Sequence, residues 1–222
     1  HDAYLFKEPA AASESPLERM VTAHAPPSRL VMAHIRLATA GGALLANTHP
    51  FRRTRYGRVL HFAHNGSLPG LPERYAKSGV AANCIGETDS EFAFLLLLER
   101  LRPLEPAATP EQRFAVFREF CAEMREEGTA NFLFADGETL FVHAHKRRSL
   151  ANGAFGESRP PGLHLRELQA GEGAWKIKGA QMEPAPENGV LVASVPLDRK
   201  KWTALDEGTA LLIEHGRVRC SG

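Results

Sequence analysis

The chain has 222 residues, of which 43% are hydrophobic and 24% are charged, a composition that is typical of globular proteins and excludes a disordered chain. The 27 lysines and arginines nearly balance the 26 aspartates and glutamates, which argues against a protein whose main partner is a nucleic-acid backbone. The longest strongly apolar run, Phe92–Leu98, is too short to cross a bilayer, so we expect neither a nucleic-acid nor a membrane partner.

The first half of the chain predicts a helix and then two strands. The helix begins at Pro16 with Ser15 as its N-cap. Apolar residues predict strands over 29–38 and 58–63. The second strand is expected to end in a turn at Asn65–Gly66, because both residues tolerate positive φ.

Two further helices are marked by capping boxes, at Thr88–Glu91 and at Thr109–Gln112. The first helix is apolar over most of its surface, and the second carries one apolar stripe, so both are expected to cover a sheet. The stripe consists of Phe114, Phe117, Phe120, Cys121 and Met124.

The second half of the chain predicts strands. A hairpin is expected over 130–145, and a later one turns at His215–Gly216. Two segments rich in glycine and proline, 151–161 and 179–189, are predicted to be loops. Two strands, two helices and then a run of strands indicate an α+β layered domain. The other predicted strands cover 163–168 and 190–195.

The cysteines and histidines indicate in which compartment the protein lies and whether it binds a metal or another cofactor. The three cysteines, Cys84, Cys121 and Cys220, lie far apart, which favours a reducing compartment, so we predict a cytoplasmic protein. The simplest interpretation of the histidines is that their ring nitrogens bond to backbone carbonyls, and no metal or other cofactor is predicted. The histidines in question are His34, His49, His61 and His64, and the strand pair His143 and His145.

Basic residues form three short clusters, at 52–55, 146–148 and 199–201. Because no aromatic residues alternate with them, we predict a solvated surface and not a nucleic-acid contact.

Three segments combine the residue types that would bind an α-amino acid. Arg36 lies in an apolar strand, where its planar guanidinium suits a carboxylate. Asn65 and Gly66 offer a side-chain amide and a backbone N–H, the two donors of an oxyanion hole. Asp89 lies in the first turn of a helix and could receive an ammonium group. The segments are 34–41 with 47–51, 62–68, and 86–91.

Each of these residues also has a simpler interpretation. Arg36 could pair with Glu87 or with Asp89, the Asn65–Gly66 pair could be only a turn, and Asp89 could be only a helix-terminal charge. Their occurrence together, in this order, favours a functional site.

The motifs HIRxAT, NTHPF, AHNGSL and TDSE in these segments resemble the class II glutamine amidotransferase domain, an N-terminal-nucleophile hydrolase. They look most like its stand-alone gamma-glutamyl amidohydrolases, and the resemblance runs from about Leu5 to about Val218. It implies an α+β fold, a four-layer αββα sandwich, with 1–222 as a single domain. It also implies roles: substrate binding by Arg36, Thr39 and Asp89, oxyanion donation by Asn65 and Gly66, and loop bracing by His34 and His49.

The nucleophile of this family is a cysteine at the mature N-terminus, whose own α-amino group acts as base. Position 1 is His1 here, and none of the three cysteines matches that motif. We therefore expect a few dozen residues upstream, with the first strand and the nucleophile, so that the given domain is incomplete at its N-terminus.

The leading hypothesis is hydrolysis of a γ-glutamyl amide, in glutamine or a γ-glutamyl compound, through a cysteine thioester without a cofactor. Whether an ammonia-accepting partner or a second copy of the chain takes part is left open. The alternative is a γ-glutamyl or amino-acid binding or regulatory module that has lost its nucleophile. A third hypothesis is a metal hydrolase built on the histidines between His34 and His64.

Overall fold

A computed structural model describes most of the chain. The described residues are 3–11, 14–24, 26, 28–35, 42–137, 139–151, 154–177, 180–182 and 187–222. Arg36 and Thr39, two of the predicted site residues, lie outside these ranges.

The described residues form four α-helices and thirteen strands. The helices are α1 (Pro16–His24), α2 (Leu71–Arg74), α3 (Asp89–Leu101) and α4 (Pro110–Glu127). The strands of the first half and centre are β1 (Phe51–Arg55), β2 (Arg58–Ser67), β3 (Thr129–Asp136), β4 (Leu140–His143), β5 (Arg147–Ala151) and β6 (Ala154–Arg159). Those that follow are β7 (His164–Leu168), β8 (Trp175–Ile177), β9 (Ala180–Met182), β10 (Gly189–Ala193), β11 (Thr203–Ala204), β12 (Ala210–Glu214) and β13 (Arg217–Ser221).

Six strands form the main antiparallel sheet, in the order β1-β2-β3-β4-β12-β13. The hairpin β3–β4 and the hairpin β12–β13 confirm two predicted turns. At the second turn, His215 and Gly216 both adopt positive φ, of 50° and 68°, as a two-residue hairpin turn requires.

Three layers of the predicted sandwich are built from the described residues. Helices α3 and α4 cover one face of the main sheet over an aromatic core, as their capping boxes and stripe predicted. The smaller sheet β10-β7-β11 covers the other face, where Val142 and Leu211 of the main sheet share a cluster with Leu165 and Val192. These contacts confirm the α+β class. The core contains the fully buried side chains Phe62, Phe94, Phe117, Phe120, Phe132, Phe134 and Phe141.

The helix caps are confirmed, with one difference. The hydroxyl oxygens of Ser15 and Thr88 accept hydrogen bonds from the backbone at N3, and Thr109 forms a complete capping box. The carboxylate of Glu91, however, does not return to the N-cap of its own helix. It accepts instead from the backbone N–H groups of Ile85 and Gly86, at 3.1 and 2.7 Å, and so fixes the loop that leads into α3.

Two predictions about strands were wrong. Residues 29–35, the described part of the predicted strand 29–38, form no strand, because they pair with no strand among the described residues, and the side chain of His34 contacts β2. Asn65 and Gly66 form no turn either, since they continue β2 opposite Asn131 and Ala130 of β3. Glycine is required at 66 for close packing: a Cβ there would lie 1.9 Å from the Thr129 oxygen.

Two predicted loops contain strands. Segment 151–161 includes β6, which pairs with β5, and segment 179–189 includes β9, which pairs with β8. Each pair forms a separate two-stranded sheet, where glycine and proline are tolerated because few neighbours depend on the ladder.

The first basic cluster is only partly solvated. Arg53 forms an ion pair with the buried Glu91, and Arg55 donates to the Leu98 carbonyl oxygen at 2.5 Å and pairs with Glu105. The prediction of a solvated surface was therefore wrong for these two arginines, which attach β1 to α3.

Candidate functional site

The candidate site lies where β2 extends past the end of its neighbour β1. Strand β1 pairs only with 58–62 of β2, whereas β3 pairs with 60–67. One edge of β2 is thus left without a ladder partner over 63–67 among the described residues, and the segment with Asn65 and Gly66 lies there.

Groups from two other segments are bonded to this edge. His34 Nε2 donates to the carbonyl oxygen of His64 at 3.1 Å, and the backbone N–H of Leu68 donates to Asp89 Oδ2 at 2.5 Å. Because backbone groups alternate between the two edges of a strand, the N–H of Gly66 faces the same edge as the His64 carbonyl. The edge thus presents the Gly66 N–H between the His34 contact and the Asp89 carboxylate.

Asn47 joins the segment 47–51 to the segment 86–91. Its side chain is fully buried, its Oδ1 accepts from the backbone N–H of Glu87 at 2.9 Å, and its Nδ2 donates to the Gly42 oxygen at 3.2 Å. A Cβ at Gly86 would lie 2.4 Å from Asn47 Oδ1, so only glycine allows this approach.

The imidazoles of His34 and His49 stack with their ring centroids 4.1 Å apart, and His49 meets the edge of the Phe51 ring at 4.6 Å. These contacts place His34, the first residue of the HIRxAT motif, against the NTHPF segment.

His64 lies beneath the open edge, with only 2% of its surface exposed. Its Nε2 contacts the Thr129 carbonyl oxygen at 2.8 Å, and its Nδ1 contacts Ser90 Oγ at 2.9 Å. Burial lowers the pKa of the imidazole, although the Asp89 carboxylate and the Thr129 carbonyl act in the opposite direction.

Strand β3 supports β2 from the other side. Asn131, 2% exposed, donates from Nδ2 to the Asn65 oxygen at 2.8 Å and to the Lys146 oxygen at 2.7 Å. His143 Nδ1 contacts the Ala130 oxygen at 2.6 Å, opposite Gly66. His34, His64 and His143 confirm the prediction that these ring nitrogens bond to backbone carbonyls. The prediction was wrong for His145, whose Nδ1 accepts from the backbone N–H of Ala130 and whose Nε2 contacts the Glu207 carboxylate.

The structure brings together three of the five predicted site residues. Asn65 and Gly66 are exposed on β2, and Asp89 is half-buried at the start of α3, one hydrogen bond from Leu68. Arg36 and Thr39 lie outside the described residues.

Sequence reasoning missed the polar residues that support this corner: Asn47, His64, Ser90, Glu91 and Asn131. Asn131 could have been found, because it is the polar residue at the start of the apolar run 132–135 of a predicted strand. His64 and Ser90 belong to the AHNGSL and TDSE motifs, but nothing in the motifs shows that they meet.

Two of the three cysteines, Cys84 and Cys121, lie in settings that disfavour a thiolate. Burial raises the pKa of the Cys121 thiol well above its usual range. Burial and the Glu91 carboxylate also raise the pKa of Cys84. Cys220 lies in β13, at the far edge of the main sheet from β2.

The described residues contain no group of three His, Cys, Asp or Glu side chains placed to hold a metal ion. In the cluster between His34 and His64, three of the ring nitrogens already contact backbone or serine oxygens.

Comparison with known proteins agrees with the motifs gathered at this edge. The model of the family "Glutamine amidotransferases class-II" matches residues 1–222. The chain belongs to the class II glutamine amidotransferases. The resemblance of the motifs is thereby confirmed.

Sequences similar to this amidotransferase chain come from bacteria and an archaeon. The chain is 31% identical over 216 residues to an uncharacterized protein of Methanocaldococcus jannaschii, covering 96% of this chain and 58% of that protein. It is 39% identical over 143 residues to "Putative glutamine amidotransferase YafJ" of Escherichia coli, covering 62% of this chain and 54% of that protein. The chain thus spans about half the length of the curated relatives it matches.

Solved structures confirm the fold of this amidotransferase chain. A crystal structure described as a predicted glutamine amidotransferase from Pseudomonas aeruginosa is 32% identical, with a TM-score of 0.61 over 79% of this chain and 66% of that one. The allosteric regulatory enzyme of purine biosynthesis, at 17% identity and a TM-score of 0.52 over 85% of this chain and 34% of that one, shares the fold alone. The fold is therefore the α+β fold of N-terminal-nucleophile amidotransferases, and no helix in the described ranges is long and apolar enough to cross a membrane.

Proposed function

We propose that this amidotransferase domain hydrolyses the γ-amide of glutamine or of a γ-glutamyl compound to glutamate. The observation that supports this most strongly is the shared edge of β2, where the Gly66 N–H and the Asp89 carboxylate lie on the same side. A donor for an oxyanion and an acceptor for an ammonium group, separated by two residues of strand, suit the two ends of a glutamyl unit.

In this proposal Asp89 binds the α-ammonium group of the substrate, and Arg36 binds its α-carboxylate. Thr39 lines the same pocket. The side-chain amide of Asn65 and the N–H of Gly66 donate to the oxyanion that forms when the amide carbonyl is attacked. The rigid ladder between β2 and β3 holds these donors in place before the substrate arrives, which is what makes such donors effective.

The nucleophile is proposed to be a cysteine thiolate upstream of residue 1, because Cys84 and Cys121 have raised pKa values and the family uses an N-terminal cysteine. The α-amino group of that cysteine takes the thiol proton, and the thiolate attacks the amide carbon. The C–N bond then breaks as the leaving nitrogen takes this proton from the α-ammonium group of the cysteine. Water then cleaves the thioester, so that one amide and one water give glutamate and one amine. The amine, or ammonia, leaves to solvent or to an acceptor outside these residues.

The test is glutamate release from glutamine and from γ-glutamyl peptides, measured with the complete gene product. Asn65→Ala is expected to lower kcat by about 10²–10³-fold, and Asp89→Asn to act chiefly on KM. Asp206→Asn, which alters an exposed carboxylate on the loop before β12, is the matched control and should behave like the wild type.

A folded wild-type protein that releases no glutamate from any of these substrates would overturn the proposal. Binding of glutamine without turnover would support the alternative of a binding or regulatory module.

A further inference from the structure

His64 joins two parts of the site that lie far apart in the sequence. Its ring is buried between the start of α3, through Ser90, and the start of β3, through Thr129. The ring centroid also lies 4.9 Å from that of Phe132, so the imidazole is held on several sides.

The hydrogen bond to Thr129 fixes one proton of the imidazole. A carbonyl oxygen can only accept, so the proton of His64 must be on Nε2, directed at Thr129. Ser90 Oγ lies 2.9 Å from Nδ1, and its one hydroxyl proton can be donated to Nδ1 or to the Asp89 carboxylate, but not to both. The ring is neutral when the hydroxyl donates to Nδ1, and burial of the imidazole favours this neutral form.

Both partners of His64 lead to groups of the site. Ser90 Oγ lies 3.2 Å from Asp89 Oδ1, so the hydroxyl held by His64 is in contact with the carboxylate. On the other side, a Cβ at Gly66 would lie 2.5 Å from His64 Nε2, so the ring supports the backbone of Gly66 directly.

We propose that His64, as a neutral imidazole protonated on Nε2, is a positioning residue that sets the distance between the Gly66 N–H and the Asp89 carboxylate. This inference rests on the proposed function, because it concerns the two groups that would hold the oxyanion and the ammonium group. His64 itself touches no reacting atom. It acts through the backbone of Gly66 and through the Ser90 hydroxyl.

The experiment compares three variants of the complete gene product. His64→Leu removes both hydrogen bonds and is expected to lower kcat/KM for glutamine roughly 100-fold. His64→Gln keeps one donor and one acceptor and should restore activity to within roughly threefold of the wild type. Ser90→Ala removes the hydroxyl that joins His64 to Asp89 but leaves the bond from His64 to Thr129, and it should raise KM roughly tenfold while kcat changes less than about threefold.

Two measurements separate positioning from a general loss of stability. Phe117→Leu, a core change in α4 away from this edge, should lower the melting temperature without changing KM. Nitrogen NMR of the wild type should show His64 protonated on Nε2 only.

The inference is overturned if His64→Leu folds and keeps wild-type kinetics, if His64→Gln is as impaired as His64→Leu, or if the proton is on Nδ1. If the wild type cleaves glutamine and any of these results is obtained, the inference is wrong and the proposed function still stands. A wild type that neither binds nor cleaves glutamine removes the proposed function.

Discussion

The side-chain amide of Asn131 holds the backbone of Asn65 by a hydrogen bond of 2.8 Å to its carbonyl oxygen. The same amide group donates to the Lys146 oxygen, and its Oδ1 accepts from the backbone N–H of His145 at 2.7 Å. One buried side chain thus ties β2 to the chain that follows β4. The position of Asn65 in the site depends on this contact between strands.

Replacing Asn131 should therefore cost stability. Asn131→Ala leaves two carbonyl groups and one N–H without their partner, and we expect the free energy of unfolding to fall by about 3 kcal/mol. Urea denaturation measures this change. Asn83→Ala is the control, because Asn83 is exposed and makes a single 3.4 Å bond, and it should change stability by less than about 0.5 kcal/mol. Equal effects of the two substitutions would contradict the structural role of Asn131.

Gly66 should not tolerate a methyl group. In Gly66→Ala the Cβ would lie 1.9 Å from the Thr129 oxygen, so β2 and β3 must separate. We expect a loss of about 3 kcal/mol in the free energy of unfolding. Gly173→Ala, where a Cβ meets no atom within 4 Å, should leave stability unchanged. A Gly66→Ala protein as stable as the Gly173→Ala protein would show that the two strands are not in close contact here.

Burial of His143 should make the protein sensitive to acid. Burial lowers the pKa of its imidazole from 6.5 to about 4. Between these values the unfolded chain binds more protons at His143 than the folded one, so the contribution of His143 to the free energy of unfolding falls as the pH falls. The slope is about 1.4 kcal/mol per pH unit, which gives about 3 kcal/mol over this window.

His143→Asn, which can still donate to the Ala130 oxygen, should remove this part of the pH dependence. The measurement is urea denaturation of both proteins at several pH values between 4 and 7. His24→Asn, on the exposed end of α1, should retain the wild-type slope. Parallel curves for the wild type and His143→Asn would contradict the prediction.

Local signals in the sequence predicted much of the fold. The capping box at Thr109–Gln112 and the turn at His215–Gly216 depend on residues a few positions apart, and both are confirmed. The family motifs likewise predicted Asn65, Gly66 and Asp89 in one site, and the Asp89 carboxylate accepts from the backbone N–H of Leu68, two residues after Gly66.

The errors concern residues whose partners are distant in the sequence. The local pattern predicts Gly66 in a turn. Glycine is needed there because a Cβ would collide with the Thr129 oxygen, which lies on another strand. The local pattern predicts that Glu91 caps its own helix. Its carboxylate instead accepts hydrogen bonds from the backbone of Ile85 and Gly86 and from the side chain of Arg53 in β1. A single sequence does not show which strand lies beside which, so neither partner could be predicted.

The buried ion pair at the other end of β3 gives the last prediction. Arg113 Nε lies 2.5 Å from Asp136 Oδ2, and the two side chains are 6% and 1% exposed. Burial raises the pKa of Asp136 to about 6, although Arg113 and Arg58 favour the charged form. At pH 7 the Asp136 carboxylate is therefore ionised although burial disfavours its charge, and the neighbouring Arg113 cation offsets this free-energy penalty. This ionisation penalty should disappear as the pH falls from about 6 to about 4, because the folded state then binds more protons than the unfolded chain.

Removing only the Arg113 cation should destabilise the protein much more than removing both members of the ion pair. Arg113→Met is expected to lower the free energy of unfolding at pH 7 by about 3–5 kcal/mol, because Asp136 stays buried without its partner. The double variant Arg113→Met/Asp136→Leu should recover at least half of that loss, since no uncompensated charge is left. Arg100→Met breaks an exposed pair with Glu123 and should cost less than about 1 kcal/mol. Urea denaturation of the wild type and the three variants measures these differences in the free energy of unfolding. If the double variant is no more stable than Arg113→Met, the buried charge of Asp136 is not what destabilises the single variant.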